Sequence, residues 1–381
     1  MSGTEGLPLR PRIPRYFHIV PMTGDQIQVR SAHKAVLMSG SSVGAVSRML
    51  DLLDGTRDVP QILECFPEIP GDQVLRTLKT LYDKGLIEDG AGEGDPAGDS
   101  CAGNEAQATF FSMVFRDGRL AQDLLGKARV VVFGLGRVGS HVVSSLARSG
   151  VGQITGIDDG PVDGSLVTCG GLYLPGDAGR ARAEAAGDRV RDLGGHTRFE
   201  AAGVRVTGES DVAPVIRGAD LALVCQDSPT VNIYRAVNAA ALRERVRWLR
   251  VSLEGFEAQL GPCVLPRDTA CYTCYEFRSR GNWPHYDESL AFEEYLAGSS
   301  SAGEIDVDYG CPAPAPAFLG NLAALEALKL LTGFSYPTTC GKMWTFNMNS
   351  FEARHHVVLK LPRCPSCGLT VANPGQAQWA L

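Results

Sequence analysis

The sequence predicts an α/β protein of two units: a small N-terminal winged-helix unit over residues 1–90 and a larger Rossmann-like unit over 109–381. Three observations carry this. Residues 89–108, DGAGEGDPAGDSCAGNEAQA, break the composition with Gly, Ala and acids and lack apolar periodicity. Such a segment buries too little to offset the entropy of ordering, so 91–108 is expected to be a flexible linker. Before it, short β-prone runs give way to three amphipathic helices. After it, ARVVVF runs straight into a glycine-rich turn and a helix.

Composition narrows the function classes. The chain has 381 residues, with 36 Lys+Arg against 43 Asp+Glu and a net charge of -7. That balance argues against nucleic acid as a partner, because neutralising phosphates takes a basic surplus. Hydrophobic residues make up 44%, enough for a sizeable core. No apolar run approaches the ~20 residues of a membrane helix, and MSGTEGLPLRPRIPRYF lacks a signal peptide's apolar stretch. The expectation is a cytoplasmic protein with no membrane partner, in which eleven cysteines do not form a disulfide framework.

In the first unit, Tyr16–Pro21 and Gln26–Arg30 read as strands joined by the turn Thr23-Gly24-Asp25, and Ala35–Met38 as a third strand. Ser41 or Ser42 caps a helix with Val43, Val46, Met49, Leu50 and Leu53 on one face, ending near Gly55. Val59–Phe66 is a second helix. Asp72–Lys84 is a third, with Val74, Leu75, Leu78 and Leu81 inward, and Gly85 stops it before the strand Leu86-Ile87-Glu88. This is a winged-helix pattern. One use of that fold is DNA binding, but the third helix offers Arg76, Lys79 and Lys84 against Asp72 and Asp83. Another use is capture of an extended peptide on a strand edge, where unpaired backbone groups complete a ladder. The segments RSAHKAVLMSG, LLDGTRDVPQILECFP and VLRTLKTLYDKGLIED resemble the PqqD-like recognition element that binds leader peptides of ribosomally made natural-product precursors. The resemblance implies that a leader pairs with Ala35, Val36, Leu37 and Met38 and lies against the third helix, where Arg76, Lys79 and Tyr82 would meet it.

In the second unit, Ala128–Phe133 is a β-branched run suited to a buried parallel strand. It enters Gly134-Leu135-Gly136-Arg137-Val138-Gly139-Ser140 and a helix reaching Ser149. Glycines there allow a tight turn and close approach of an anion to the helix N–H groups. The strand Gln153–Ile157 ends at Asp158, placed to meet a ribose hydroxyl. An NAD-dependent oxidoreductase is one reading, but no acid/base for hydride transfer can be placed. Ala219–Val224 is a further strand, ending in Cys225-Gln226-Asp227-Ser228 ahead of a helix with Asn232 and Asn238. Residues 278–309 read as an irregular surface excursion. Gly310-Cys311-Pro312 precedes a helix, Ala317–Leu331, whose Phe318, Leu322, Leu325, Leu328 and Leu331 share a face.

Together ARVVVFGLGRVGSH, ITGIDDGPVDGSL, LVCQDSPTVN, the cysteine pairs and FLGNLAALEALKLLTG resemble the ThiF/MoeB superfamily of ubiquitin-activating-enzyme-like adenylating enzymes, over about 109–370. By that resemblance ATP and Mg2+ would be held by Gly134, Gly136, Gly139, the ribose acid Asp158 and the metal acid Asp227, with Arg182 where a Lys is expected. The sequence departs from the active pattern: Leu166, Cys169 and Gly170 stand at the Asn, Arg and Gln positions. Losing the Arg removes a charge-assisted phosphate contact, and ATFFSMVFRDGR lacks the Tyr-Ser-Arg pattern of active members. Nucleotide binding is therefore expected to be vestigial and no catalytic residue is assigned. An adenylating enzyme is the alternative.

Cys271-Tyr-Thr-Cys274 and Cys364-Pro-Ser-Cys367 are two C-x-x-C pairs. Four thiolates close a tetrahedral shell, so the expectation is a structural Zn2+ with no open position. Gly368 suits the tight turn. The other cysteines read mostly as small core residues, a thioester role for Cys311 is disfavoured, and His355-His356 reads as an edge feature. Across the whole chain, with GPCVLPRDTACYTCYEFRSRGNWP and VVLKLPRCPSCG as the closest pieces, the sequence resembles the ocin-ThiF-like, cyclodehydratase C/F-type proteins of thiazole/oxazole-modified microcin biosynthesis. That resemblance implies a protein that binds a precursor leader peptide and presents the core to a separate YcaO cyclodehydratase. Superfamily membership adds a homodimer as an expectation.

Overall fold

The computed structural model describes residues 6–40, 43–90, 103–114, 118–169, 171–227, 232–302 and 310–368, with 296–302 as backbone only. It divides into two compact units, Met1–Asp123 and Leu124–Leu381. Of the expected linker 91–108, residues 91–102 lie outside the described residues, as does the Ser41/Ser42 cap, and residues 105–108 are not linker but the start of a helix.

The first unit starts with β1 (Pro11–Arg12), β2 (His18–Met22), β3 (Gln26–Arg30) and β4 (Ala35–Ser39). β2, β3 and β4 form an antiparallel sheet in that order, the first hairpin closing Met22 against Gln26. Three helices follow: α1 (Val43–Leu52), α2 (Val59–Glu64) and α3 (Gly71–Asp83). α2 starts at a capping box in which Asp58 accepts from the Gln61 backbone N–H and Gln61 accepts from that of Asp58. α3 buries Val74, Leu78 and Leu81, the expected i, i+4, i+7 stripe. These close over Ile27 and Val29 with Met49, Leu50, Ile62 and Phe66 in one core. The strand expected at Leu86–Glu88 differs. Leu86 and Ile87 are buried core residues, and β5 (Glu88–Asp89) pairs with β1 instead of extending the sheet. α4 (Glu105–Val114) follows, tied back by Tyr16, whose hydroxyl donates to the Ser112 carbonyl at 3.1 Å.

α5 (Gly118–Lys127) leads into a doubly wound sheet: β6 (Arg129–Phe133), α6 (Arg137–Arg148), β7 (Gln153–Ile157), α7 (Gly164–Thr168), α8 (Arg182–Asp192), β8 (Arg198–Ala202), α9 (Glu209–Ile216), β9 (Leu221–Gln226), α10 (Asn232–Glu244) and β10 (Arg247–Glu254). β11 (Glu257–Val264), α11 (Tyr272–Arg280), α12 (Tyr286–Ala302), α13 (Pro314–Thr332), β12 (Lys342–Asn347) and β13 (Ala353–Val357) complete it. The eight strands run β13-β12-β11-β10-β9-β6-β7-β8. β8, β7, β6, β9 and β10 are parallel, and the last three join antiparallel. Chain order reverses between β6 and β9, so the crevice at their carboxyl ends is the switch point where such sheets bind ligands.

Two expectations are corrected here. The stretch 278–309 is not irregular throughout: α11 ends in it and α12 occupies 286–302, anchored where Arg235 and Arg280 pair with Glu276 and Glu293. On α13 the leucine row does not share one environment: Leu328 is buried and Leu322 and Leu331 are partly buried. Phe318 and Leu325 are 37% and 39% exposed, whereas Leu319, Ala323, Ala324 and Ala327 are buried. α13 packs on α6 so closely that a Cβ on Gly320 would lie 2.6 Å from His141 Cβ. A small residue therefore sits at that contact, and Phe318 packs on Phe346, ring centroids 4.7 Å apart.

Candidate functional site

The loop between β6 and α6 holds Gly134 and Gly136 at the switch point, and Gly139 lies in the first turn of α6. Gly136 is the N-cap of α6 and makes no side-chain cap of its own. Asp227, the residue after β9, supplies it instead: its carboxylate accepts from the Arg137 and Val138 backbone N–H groups, the latter at 3.0 Å. A Cβ at Gly136 would lie 2.1 Å from that carboxylate, so the approach requires glycine. The positive end of a helix macrodipole is where phosphate is held in nucleotide folds. Here the chain's own acid occupies it. Burial pushes the Asp227 carboxyl above the usual range, opposed by those two N–H groups and by the Arg137 and Arg182 guanidiniums.

Asp158 accepts from Leu135 N–H at 2.7 Å and Gly160 N–H at 2.8 Å, locking the strand end to the loop. Arg182 is committed to this acidic rim. It donates to the Pro161 carbonyl at 2.8 Å and pairs with Asp158 at 3.5 Å and Asp163 at 3.4 Å. Asp163 itself caps α7 through the Ser165 and Leu166 N–H groups. Tyr173, 4% exposed, donates to the Leu135 carbonyl at 2.8 Å and braces the loop from below. Leu166 is buried, and Cys169, capping α7, presents its carbonyl to His141 at 3.0 Å. Neither offers a cation. Gly170 and Ser228 lie outside the described residues. Cys311 stands 3.7 Å from the Arg137 guanidinium, yet burial raises its thiol pKa, which is not the state of an activated nucleophile.

A second cluster lies behind α10. Cys271, Cys274, Cys364 and Cys367 gather so that all four sulfurs lie within 4.8 Å of one another. The Cys271–Cys274, Cys271–Cys364 and Cys274–Cys367 sulfur distances are 3.9, 3.6 and 3.5 Å. Metal–sulfur bonds of about 2.3 Å in a tetrahedron put sulfurs about 3.8 Å apart, so the donor set fits one metal ion. Cys271 is the N-cap of α11, and Cys274 sits in its first turn. The second pair turns so tightly that a Cβ on Gly368 would lie 2.5 Å from the Cys364 carbonyl oxygen. Asn238 holds the first pair in place: buried on α10, it accepts from the Tyr272 N–H at 2.9 Å. Its role was not legible in the sequence, where it was one polar residue on a helix.

Comparison with known proteins follows this geometry. The family model described as ThiF family matches residues 106–368. The chain belongs to the ThiF family. Among curated relatives, the sulfur carrier protein ThiS adenylyltransferase of Escherichia coli is 28% identical over 253 residues, covering 66% of this chain and 91% of its own. The molybdopterin-synthase adenylyltransferase of Salmonella typhimurium is 26% identical, covering 65% of this chain and 90% of its own. Among solved structures, E. coli MccB with MccA-N7isoASN superposes at a TM-score of 0.70 with 19% identity, covering 94% of this chain and 99% of MccB. PaaA superposes at 0.65 with 17% identity over 78% of this chain and 96% of its own. At these identities the structural likeness is one of fold.

Outside the ThiF-family match, the residues expected to meet a peptide lie on the surface of the first unit. β4 is an outer strand of its sheet; Ala35 and Leu37 are exposed and Val36 and Met38 half-buried toward the core. Arg76 pairs with Asp72 and Lys79 with Asp83 along α3, the Lys79 ammonium also lying 5.6 Å from the Tyr82 ring. Those pairings leave the helix without the basic surplus of a DNA reader. His355 and His356 lie on β13, the exposed outermost strand: His355 packs on Trp344, and the His356 ring contacts the Thr345 hydroxyl at 3.1 Å. Of the other described cysteines, Cys225, Cys263 and Cys340 are buried, Cys169 and Cys311 partly so, and Cys65 is exposed. No helix among the described residues is long and apolar enough to cross a membrane.

Proposed function

We propose that this ThiF-family protein is a leader-peptide-binding scaffold. It recruits a ribosomal precursor peptide through its N-terminal unit, a PqqD-like winged helix, and presents the core to a separate YcaO cyclodehydratase, which it activates for azoline formation. The observation that carries the non-adenylating part is the filled anion end of α6, where Asp227 takes the backbone donors a phosphate would need. Arg182, at the place of the phosphate-facing Lys, is engaged with Asp158 and Asp163. A triphosphate arriving there meets three carboxylates, and like charges within a few ångströms are mutually unfavourable. Peptide recruitment is supported by the outer strand β4, whose outer edge pairs with no strand among the described residues and can accept an added one, and by the likeness to MccB, solved in complex with N-formylated MccA. Zn2+ is the ion proposed for the tetracysteine cluster; with four thiolates it has no open position, so it fixes structure and takes no part in chemistry.

The second reading, an adenylating enzyme, draws on the two adenylyltransferases among the relatives and on acids Asp158 and Asp227 at the same switch point. One pair of measurements separates the two. Titrating the full-length protein with the precursor leader by fluorescence polarisation is expected to saturate, and ATP–pyrophosphate exchange with that peptide present is expected to stay at background. Exchange abolished by Asp227→Asn would replace the scaffold with the enzyme, and a flat titration would remove recruitment.

A further inference from the structure

The N-terminal unit contains a cleft of about 670 Å³ that strand addition alone leaves without a use. Four segments wall it: the entry of β2 at Tyr16–His18, the loop Ser31–Lys34 leading into β4, the end of α3 at Asp83–Gly85, and the end of α4 at Ser112–Val114. One wall is apolar. Phe17 is buried beneath it, while Met113 and Val114 are 45% and 59% exposed. The opposite wall is basic. Lys34 reaches across to the Lys84 carbonyl, placing its ammonium at the C-terminal end of α3, and Lys84 also lines the cleft. Asp83, the acid in the lining, is already paired with Lys79 at 3.2 Å. His18 and His33 add further donors at the mouth.

We propose that this cleft anchors the captured peptide by taking an apolar side chain flanked by a carboxylate, so that the recognised segment is acidic and amphipathic. This rests on the peptide-recruitment reading above and names the chemistry it selects. Lys34 immediately precedes Ala35, the first residue of β4. A peptide strand laid along the β4 edge would at one end approach the Ser31–Lys34 loop that walls the cleft. Main-chain hydrogen bonds along β4 are indifferent to sequence, whereas the cleft distinguishes peptides by charge and by a buried side chain.

The test is selection from a display library of short random peptides on the full-length protein, followed by affinity measurement of the enriched peptides. Enrichment of Asp or Glu beside a large apolar residue is expected, with affinity falling about tenfold in Lys34→Glu/Lys84→Glu and similarly in Val114→Asp. Circular dichroism and thermal unfolding confirm that each variant is folded. The salt dependence of wild-type affinity reads the same charge contribution without any substitution, because exposed ion pairs are screened. Enriched peptides that are neutral or basic, or that bind the charge-reversed protein equally well, overturn the cleft assignment. If Leu37→Pro in β4 still abolishes their binding, strand capture survives that result. No enrichment at all removes both.

Discussion

Asn238 illustrates how one side chain holds a ligand set together without ligating. Its carbonyl oxygen accepts the Tyr272 N–H at the start of α11, between the first two cysteines. Asn238→Ala leaves that buried donor unsatisfied and is expected to cost about 1–3 kcal/mol, read by urea unfolding. Cys274→Ser is expected to do more: metal content falls, because a hydroxyl is a poor replacement for a thiolate, and the melting temperature drops with it. A Cys274→Ser protein with unchanged metal content and melting temperature would contradict the tetrathiolate. Tyr16 carries a pH signature. Burial, with help from the nearby Glu88, pushes its phenol up to about 12. A raised folded-state value means its stabilising contribution is complete below the ordinary phenol range near 10. It is lost as pH rises from there through about 12. Denaturant titrations should show a stability difference between wild type and Tyr16→Phe that is constant below about pH 10 and narrows progressively as pH rises through about 12.

At the scale of elements, α13 separates periodicity from packing. The leucine row on Phe318, Leu322, Leu325, Leu328 and Leu331 has helical spacing, and the helix forms as the spacing predicts. The row is nevertheless split between exposed Phe318 and Leu325 and buried Leu328, and at Gly320 α6 approaches too closely for any larger group. Gly320→Ala is accordingly expected to destabilise by about 1–3 kcal/mol through overpacking, although alanine is the better helix former. Calorimetry showing the variant more stable than wild type would reject this packing account. The same helix carries Glu326, 2% exposed, which accepts from Thr339 N–H at 2.7 Å, the Thr339 hydroxyl at 2.8 Å and the Thr338 hydroxyl at 3.1 Å and pairs with Lys329 at 3.0 Å. Those bonds fasten the turn before β12 to α13. Glu326→Ala is expected to cost about 3–5 kcal/mol, as breaking a buried ionic network does, measured by the same unfolding transition. A single hydrophobic periodicity could not announce Glu326, since nothing local to a helix indicates that an acid will meet donors from a distant turn.

For the whole molecule, the tetracysteine cluster couples distant parts of the chain, since Cys271 and Cys364 are contributed by segments on either side of α12, α13 and the last two strands. Loop closure of that length makes metal binding a folding contribution, and ligand binding raises stability by mass action. Chelation is expected to lower the unfolding temperature, and restored Zn2+ to raise it by an amount equivalent to about 2.7 kcal/mol at a hundredfold excess over Kd. An unfolding temperature indifferent to chelator would remove the stabilising role.

The sequence by itself determined the three early strands and helices, the strand–glycine loop–helix at 128–149, and the two cysteine pairs that gather into one cluster. Each is written in contiguous residues, through alternation, helical periodicity, turn chemistry or C-x-x-C spacing. Only the tertiary structure decided that Asp227 fills the end of α6, that Arg182 is bound to the acids around it, and that α6 packs against α13 at Gly320. It also brought Lys34, Lys84 and Val114 to one cleft. Those outcomes depend on which donor meets which acceptor across many tens of residues. No local pattern encodes the separation at which two elements finally pack.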